Sequence, residues 1–432
     1  MNALARRCPA LLVSAPASGQ GKTTVTAALA RWHVRQGRRV QVFKVGADFL
    51  DPLITGCAAQ SRAYQLDLWM GGEADVRARL YAAAGEAELI LVEGVMGLFD
   101  GDPCSAELAA QCGFPVLAVI DGSAMAQTFG AVVHGLADYR EDVQVFGAAA
   151  NRIGGDHHAE LLRRSLQGNI RWLGALPDDP VLALPERHLG LVAADEVADL
   201  DARLDILANE WDRHATKDLP PPVRFRPVSS APVPSLLCGT RIAIARDAAF
   251  CFLYPANLDL LRAAGADLAL FSPLAGDPLP ECDAVWLPGG YPELHLDALS
   301  LRSDLHAALR HHVMAGKPLL AECGGLLFAL DELADADGNA APMAGLLRGR
   351  AAVHPRLVAL GLQEVALPEG TLRGHTFHHA HAEIAADPIA TAVNPNGAPS
   401  REAVYRERRF TASFVHFYFP SNPEAALRLF LP

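Results

Sequence analysis

Cysteine is sparse and never paired in this 432-residue chain: the eight cysteines stand singly, with no C-x-x-C among them. That spacing argues against a disulfide framework and a zinc knuckle, and for a reducing compartment such as the cytosol. Long apolar runs are missing as well. No segment holds eighteen uninterrupted apolar residues, so no membrane span is expected. The opening Met1-Asn2-Ala3-Leu4-Ala5-Arg6-Arg7 runs into a strand-like stretch and is not read as a signal peptide. Basic residues are in deficit, 37 Lys and Arg against 49 Asp and Glu, for a net charge of −12. A surface for nucleic acid is therefore not expected. Internal repeats are also lacking. What is present is a globular composition, 51% apolar and 20% charged, with 36 glycines for turns. At roughly 150 residues per domain the length predicts two or three domains, each able to bury a core.

The first half alternates strands and helices. Near-continuous apolar runs at 10–14, 40–45, 89–93, 116–121 and 143–149 predict strands, and helical patterns occupy 24–35, 73–84 and 125–139. Apolar strands between helices imply a parallel sheet covered on both faces. A helix over 196–214 closes this half. Residues 217–239 form a proline-rich linker, expected to be extended, which separates a domain over 1–216 from one over 240–432. The second half repeats the alternation, with strands at 241–245, 268–271, 284–287 and 319–321 and helices at 257–264 and 301–314. Shorter strand-like pieces follow at 362–366, 373–378, 403–406 and 411–415.

The strand at 11–14 leads through Ala15-Pro16-Ala17-Ser18-Gly19-Gln20-Gly21-Lys22-Thr23-Thr24 into a helix. This is a P-loop in its proper context, although Pro16 stands where the first glycine of the pattern is usual. Backbone N–H groups around Gly19 and Gly21 would wrap phosphates, Lys22 would reach the terminal ones, and the Thr23 hydroxyl would bind Mg²⁺. Mg²⁺ takes carboxylates together with phosphates. Asp48 and Asp51 follow the second strand, and Glu93 ends the next, where ligands bind in open sheets. Each could instead be a solvated loop acid, as could Asp100. Asn151 closes a further strand, where its amide could read an adenine edge or simply make a turn.

The second half carries a different chemistry. Cys323 sits between the apolar run at 318–320 and Gly324-Gly325, at the start of a short helix. A nucleophile on such an elbow projects from the chain, and the helix N-terminus is expected to lower the thiol pKa. Leu287-Pro288-Gly289-Gly290 follows another strand and offers bare backbone. The N–H groups of Gly290 and Gly324 are the candidate oxyanion hole. His416, on a strand expected over 412–418, is the candidate base. The run of 373–381 contains four histidines, but its alternation does not converge on a metal site. The aromatic stretch 247–255 reads as packing.

Three segments together, Ala15 to Thr24, Lys44-Val45-Gly46-Ala47-Asp48-Phe49-Leu50-Asp51-Pro52 and Glu93-Gly94-Val95-Met96-Gly97-Leu98-Phe99-Asp100-Gly101, resemble the cobyrinate/hydrogenobyrinate a,c-diamide synthases of cobalamin biosynthesis. The resemblance covers nearly the whole chain. It implies an α/β architecture: an N-terminal P-loop NTPase-like, dethiobiotin-synthetase-like parallel-sheet domain, then a C-terminal domain similar to the triad-type (class I) glutamine amidotransferases. It further implies ATP and Mg²⁺, with Thr23, Asp48 and Glu93 holding the metal, Lys22 the phosphates and Asn151 the adenine, and Thr24 beside the nucleotide. Many triad-type enzymes place Glu two residues after the histidine; Tyr418 stands there in this chain, so a Cys323–His416 dyad is expected.

The implied reaction is amidation of the a- and c-acetate carboxylates of a corrinoid polycarboxylate, with ammonia drawn from glutamine at Cys323. Candidate substrate contacts are Asp51, Asp100 and Arg62, with Arg152 beside them. The expected partners are small molecules, with neither nucleic acid nor membrane, and a homodimer is left open. Two other readings stand: an amidase of another tetrapyrrole polycarboxylate, and a partition-type ATPase fused to an inactive amidotransferase. Those ATPases generally carry an additional Lys early in the loop, and 16–20 contains none.

Overall fold

The computed structural model describes residues 4–184, 199–228 and 232–432. The chain divides into two compact units between Ser230 and Ala231.

The first unit runs β1 (Arg6–Ser14), α1 (Lys22–Arg35), β2 (Val40–Val45), α2 (Leu50–Ala59), β3 (Tyr64–Leu66), α3 (Gly72–Ala83), β4 (Leu89–Glu93), α4 (Ser105–Cys112), β5 (Val116–Asp121), α5 (Thr128–Asp138), β6 (Val145–Ile153), α6 (Asp156–Ser165), β7 (Arg171–Pro177), α7 (Leu200–His214) and β8 (Pro222–Phe225). The first three residues of the helix expected over 196–214 lie outside the described residues. Seven strands form one parallel sheet in the order β3-β2-β4-β1-β5-β6-β7. Alternate residues of each strand serve opposite faces, as the pleat requires. Leu11, Val13, Leu89 and Leu91 pack with Val25 of α1 and Leu204 and Trp211 of α7. Ala10, Leu12, Ile90 and Val92 pack with Val76 and Leu80 of α3 and Leu108 of α4. The proline-rich segment is more than a linker. Its residues Pro222–Phe225 pair antiparallel with Arg6–Pro9 of β1 and so belong to this sheet.

The second unit runs β9 (Arg241–Ala245), α8 (Pro255–Ala263), β10 (Asp267–Phe271), β11 (Ala284–Leu287), α9 (Leu296–Ser300), α10 (Ser303–Met314), β12 (Leu319–Glu322), α11 (Gly324–Ala329), β13 (Glu332–Ala334), β14 (Ala340–Pro342), β15 (Gly349–Val353), β16 (Ala359–Leu367), β17 (Gly370–His378), β18 (Ala380–Ile384), β19 (Ala390–Val393), β20 (Pro399–Glu407), β21 (Phe410–Ser413), β22 (His416–Phe417) and α12 (Pro423–Arg428). Its main sheet follows the order β10-β9-β11-β12-β21-β20-β19-β16-β17-β22, parallel as far as β21 and antiparallel beyond. A small sheet, β14-β13-β15-β18, lies beside it in the chain order. Ala243, Val285 and Leu319 face one core and Ile242, Trp286 and Leu320 the other. Among the described residues no helix is long and apolar enough to cross a membrane.

The single strand expected over 412–418 is in fact two. β21 ends at Ser413, whose Oγ accepts the Val415 N–H at 3.1 Å. The chain turns there, and His416–Phe417 pair with β17 instead.

Candidate active sites

The loop between β1 and α1 opens onto a cleft of about 610 Å³. Its walls include Gly19, Gly21, Lys22, Thr23, Thr24, Glu93 and Asn151, with Pro177 at the end of β7 and Asp178 after it. Helix α1 starts at Lys22 because Gly21 takes a left-handed φ of 94°. A Cβ at Gly21 would also lie 2.0 Å from Asn151 Nδ2. The Asn151 amide is therefore engaged with the loop, donating to Gln20 O at 3.0 Å. Gln20 Oε1 in turn accepts the Asp121 N–H at 2.8 Å. Gln20 is a bracing residue that sequence reasoning did not single out. Lys22 Nζ donates to Met96 O at 2.5 Å and Ala17 O at 3.2 Å, curled over the loop.

Lys44, at the end of β2, was also missed. Its ammonium is buried, 2.7 Å from both Asp51 Oδ2 and Glu93 Oε1 and 3.9 Å from Asp48 Oδ2. Burial works against its charged form, but Glu93, Asp51 and Asp48 together outweigh that and hold it above the ordinary lysine range. Burial likewise pushes the Glu93 carboxyl up, against the pull of Lys44. Thr23 Oγ1 donates to Glu93 Oε1 at 2.7 Å. Glu93 Oε2 is buried without a hydrogen-bond partner among the described residues.

Among those residues no group of three or more His, Cys, Asp and Glu is arranged to hold a metal ion alone. Mg²⁺ does not require one, since it keeps waters and phosphate oxygens and takes one or two carboxylates. The orphaned Glu93 oxygen beside the Thr23 hydroxyl fits that donor set.

The remaining candidates of this unit have structural partners. Asp48 Oδ1 accepts the N–H groups of Leu50 at 2.9 Å and Asp51 at 3.3 Å, fixing the entry to α2. Asp51 is bound to Lys44, and Asp100 Oδ2 accepts the Gly97 N–H at 3.1 Å. Arg62 is exposed, and neither it nor Asp100 lines the cleft. Arg152 does line it, paired with Asp121 at 2.5 Å.

In the second unit the loops that follow β9, β11, β12 and β21 converge. Cys323 follows β12 with φ 47° and ψ −106°, a conformation that costs a non-glycine residue energy and turns the chain sharply into α11. Its N–H donates to Ser413 O at 2.8 Å. Glu322, the residue before it, accepts the Phe417 N–H through Oε1 and the Trp286 indole N–H through Oε2, both at 2.8 Å. The bonds to Ser413 and Phe417 tie the end of β12 to the backbone on either side of His416, and that to Trp286 ties it to β11. The glycine turn lies against His416 and against Gly324, the residue after Cys323. A Cβ on Gly289 would lie 2.2 Å from His416 Cε1, and one on Gly324 would lie 2.8 Å from Gly290 N. The two expected oxyanion donors, Gly290 and Gly324, are thus brought together.

Aromatic groups complete this site. Phe252, in the stretch read as packing, presents a ring edge to His416 with centroids 5.9 Å apart, and its N–H donates to Gly289 O at 2.9 Å. His375 stacks on His416 at 5.0 Å, and its Nδ1 is 2.6 Å from the Tyr254 hydroxyl. Tyr418, two residues after His416, packs edge-on against Tyr254.

The expected lowering of the Cys323 pKa is not what this environment produces. Burial, followed by the charge of Glu293, pushes the thiol above its ordinary value and outweighs the Gly324 N–H. Burial and the neighbouring histidines 375 and 378 push His416 well down. Burial alone takes His375 to about 3. The resting pair is a neutral thiol and a neutral imidazole.

Fold and sites together define a chain that joins a P-loop nucleotide-binding unit to a glutamine-amidotransferase-like unit. A family model described as CobQ/CobB/MinD/ParA nucleotide binding domain matches residues 11–192, and one described as CobB/CobQ-like glutamine amidotransferase domain matches residues 241–424. The hydrogenobyrinate a,c-diamide synthases of Pseudomonas aeruginosa and Stutzerimonas stutzeri are each 58% identical to it, over 99% of this chain and 98% and 99% of theirs. The cobyrinate a,c-diamide synthase of Herminiimonas arsenicoxydans is 48% identical over 98% of this chain and 96% of its own. The chain belongs to the cobyrinate/hydrogenobyrinate a,c-diamide synthase family.

Proposed function

We propose that this protein is an ATP- and glutamine-dependent amide ligase that converts the a- and c-acetate carboxylates of a corrin macrocycle to amides. The observation that carries the reading is the presence, in one chain, of a phosphate-binding loop with Lys22 and Thr23 beside Glu93 and of a thiol at a glycine-lined turn shared with His416. Relatives at 58% identity over nearly the full length give the substrate.

A carboxylate is a poor electrophile at neutral pH, and transfer of a phosphoryl group from ATP activates it. Lys22 and the loop N–H groups would hold the phosphates. Thr23, Glu93 and Asp48 would hold Mg²⁺, which would supply positive charge against the phosphate oxygens. Lys44 keeps the buried carboxylates in place without an added ion. Asn151 would sit at the base side of the cleft, its nitrogen bracing the loop. Arg152, on the wall of the cleft, is the proposed contact for the anionic substrate.

At the other site the Cys323 sulfur would attack the glutamine side-chain amide, its proton passing to His416. The oxyanion would be received by the Gly290 and Gly324 N–H groups. Ammonia leaves with the proton that His416 returns, and water then releases glutamate. We further propose a cytoplasmic location and action on small molecules alone.

The test is a pair of variants assayed by mass spectrometry of the macrocycle, with glutamine or with ammonium as nitrogen source. Cys323→Ala is expected to lose glutamine-driven amidation and keep ammonium-driven amidation. Lys22→Ala is expected to lose both. Amidation from glutamine by the first variant, or from ammonium by the second, would remove that residue from the reaction. Conversion of two carboxylates, and only two, on hydrogenobyrinic or cobyrinic acid identifies the product.

A further inference from the structure

We propose that Glu293 recognises the α-ammonium group of glutamine at the Cys323 site, a specificity residue whose assignment rests on the glutamine-dependent reading above. Glu293 lies in a single 3-10 turn, Pro292–His295, directly after the Gly289-Gly290 turn. That turn is pressed onto the residue after the nucleophile: a Cβ on Gly324 would be 2.9 Å from Pro292 Cδ.

Glu293 is 8% exposed, and its Oε2 is buried with no hydrogen-bond partner among the described residues. Two neighbouring buried carboxylates are placed differently. Glu322 accepts from Trp286 and Phe417, and both Glu402 oxygens lie 3.3 Å from His378 Nε2. A buried carboxylate oxygen without a donor is costly, and such atoms persist where a ligand completes them. Nothing in the dyad mechanism uses Glu293.

The ligand supplies the missing donor. Free glutamine carries one cationic group, the α-ammonium, and the rings and glycine backbone around Cys323 carry no acidic group to receive it. An ammonium against Glu293 makes a charge-assisted hydrogen bond in a dry setting, where such bonds are strongest. A second consequence follows from the same pairing. Glu293 is the foremost charged neighbour disfavouring the Cys323 thiolate. Neutralising it with the substrate's own cation eases transfer of the thiol proton to His416. The empty site keeps an inert thiol, and the correct amide donor activates it.

The experiment compares kcat/KM for glutamine and for glutaramate, which is glutamine without its α-ammonium group, in wild type and in Glu293→Gln. Ammonia release is the readout. Wild type is expected to prefer glutamine by roughly 10⁴-fold, and the variant to lose most of that preference, because a site built for a polar group rejects the analogue that lacks it. A structural role alone would lower turnover of both substrates and leave their ratio unchanged, which would overturn the assignment. If E293Q turns over neither substrate, Glu293→Asp decides. Restored turnover with restored preference for glutamine supports recognition by charge, and loss of both substrates in this variant too overturns it. If wild type releases no ammonia from glutamine, the glutamine reading itself falls; if it does and E293Q keeps the full preference, only the role of Glu293 falls.

Discussion

The two sites handle buried charge in opposite ways. In the P-loop unit the buried cation Lys44 is surrounded by Asp48, Asp51 and Glu93, so charge is already paired before any substrate arrives. In the amidotransferase unit the reactive groups are neutral at rest, packed among Phe252, His375 and the glycine turn. The difference follows from the ligands. A nucleotide polyphosphate brings several negative charges and demands a site whose own charges are fixed in advance, which is electrostatic preorganisation. Glutamine is a small zwitterion, and a thiol that stayed ionised in its absence would be open to oxidation and stray alkylation. Polar order built in advance serves the first reaction, and reactivity withheld until binding serves the second.

That contrast breaks most visibly at Lys44. Lys44→Met would leave Asp48, Asp51 and Glu93 around a missing cation, and removing one partner of a buried ion pair costs about 3–5 kcal/mol. Calorimetric unfolding should show the loss, and amidation should vanish with either nitrogen source. A melting temperature equal to wild type would mean that the carboxylates are held by something other than Lys44.

Gly289→Ala probes the other unit by shape instead of charge. The added methyl would fall 2.2 Å from His416 Cε1, so the imidazole must move. A displacement on the order of 1 Å costs a reaction about 100-fold. Glutamine hydrolysis should fall by that factor while amidation from ammonium continues. An undiminished glutaminase would show that the imidazole has room the structure does not display.

The elements most legible in the sequence were those whose pattern is local. The runs that form β2, β4, β5, β9 and β11 are predominantly apolar, and their limits coincide with those expected from the sequence. No helix was expected where α2 lies, since Pro52 and Gly56 interrupt the pattern, although proline is tolerated in a first helical turn and Asp48 supplies acceptors there. The three-residue β3 is too short to show a period. The break between β21 and β22 depends on one serine hydroxyl, which no periodicity reports. At the sites, P-loop and Cys-Gly-Gly chemistry could be read directly, because each is contained in a few consecutive residues. Lys44 and Glu93, 49 positions apart, and Glu293 and Cys323, 30 apart, acquire their roles only when the sheets bring strand ends together. The same holds for thiol reactivity: the sequence displayed the helix start that lowers a pKa and concealed the burial that raises it.

The smallest expected effect is also the most direct measure of how dry the second site is. Burial pushes Glu322 up to about 8 and Glu293 up to about 7, from an ordinary 4.5. Between pH 4.5 and these values the unfolded chain has released protons that the folded chain still holds, so unfolding is favoured as pH rises. Stability from these two groups is therefore full below pH 4.5 and is lost progressively up to about pH 8. Glu322→Gln removes one of the two titrations. It also sets an amide nitrogen against an N–H donor from Trp286 or Phe417, at a cost of about 1–3 kcal/mol. Melting temperature followed across that pH window should start lower in the variant at the acid end and decline less steeply than in wild type. Parallel curves would mean that Glu322 already ionises near its ordinary value in the folded protein. In that case water would reach the strand end beside Cys323, and the dry, withheld thiol that separates this unit from its neighbour would have to be abandoned.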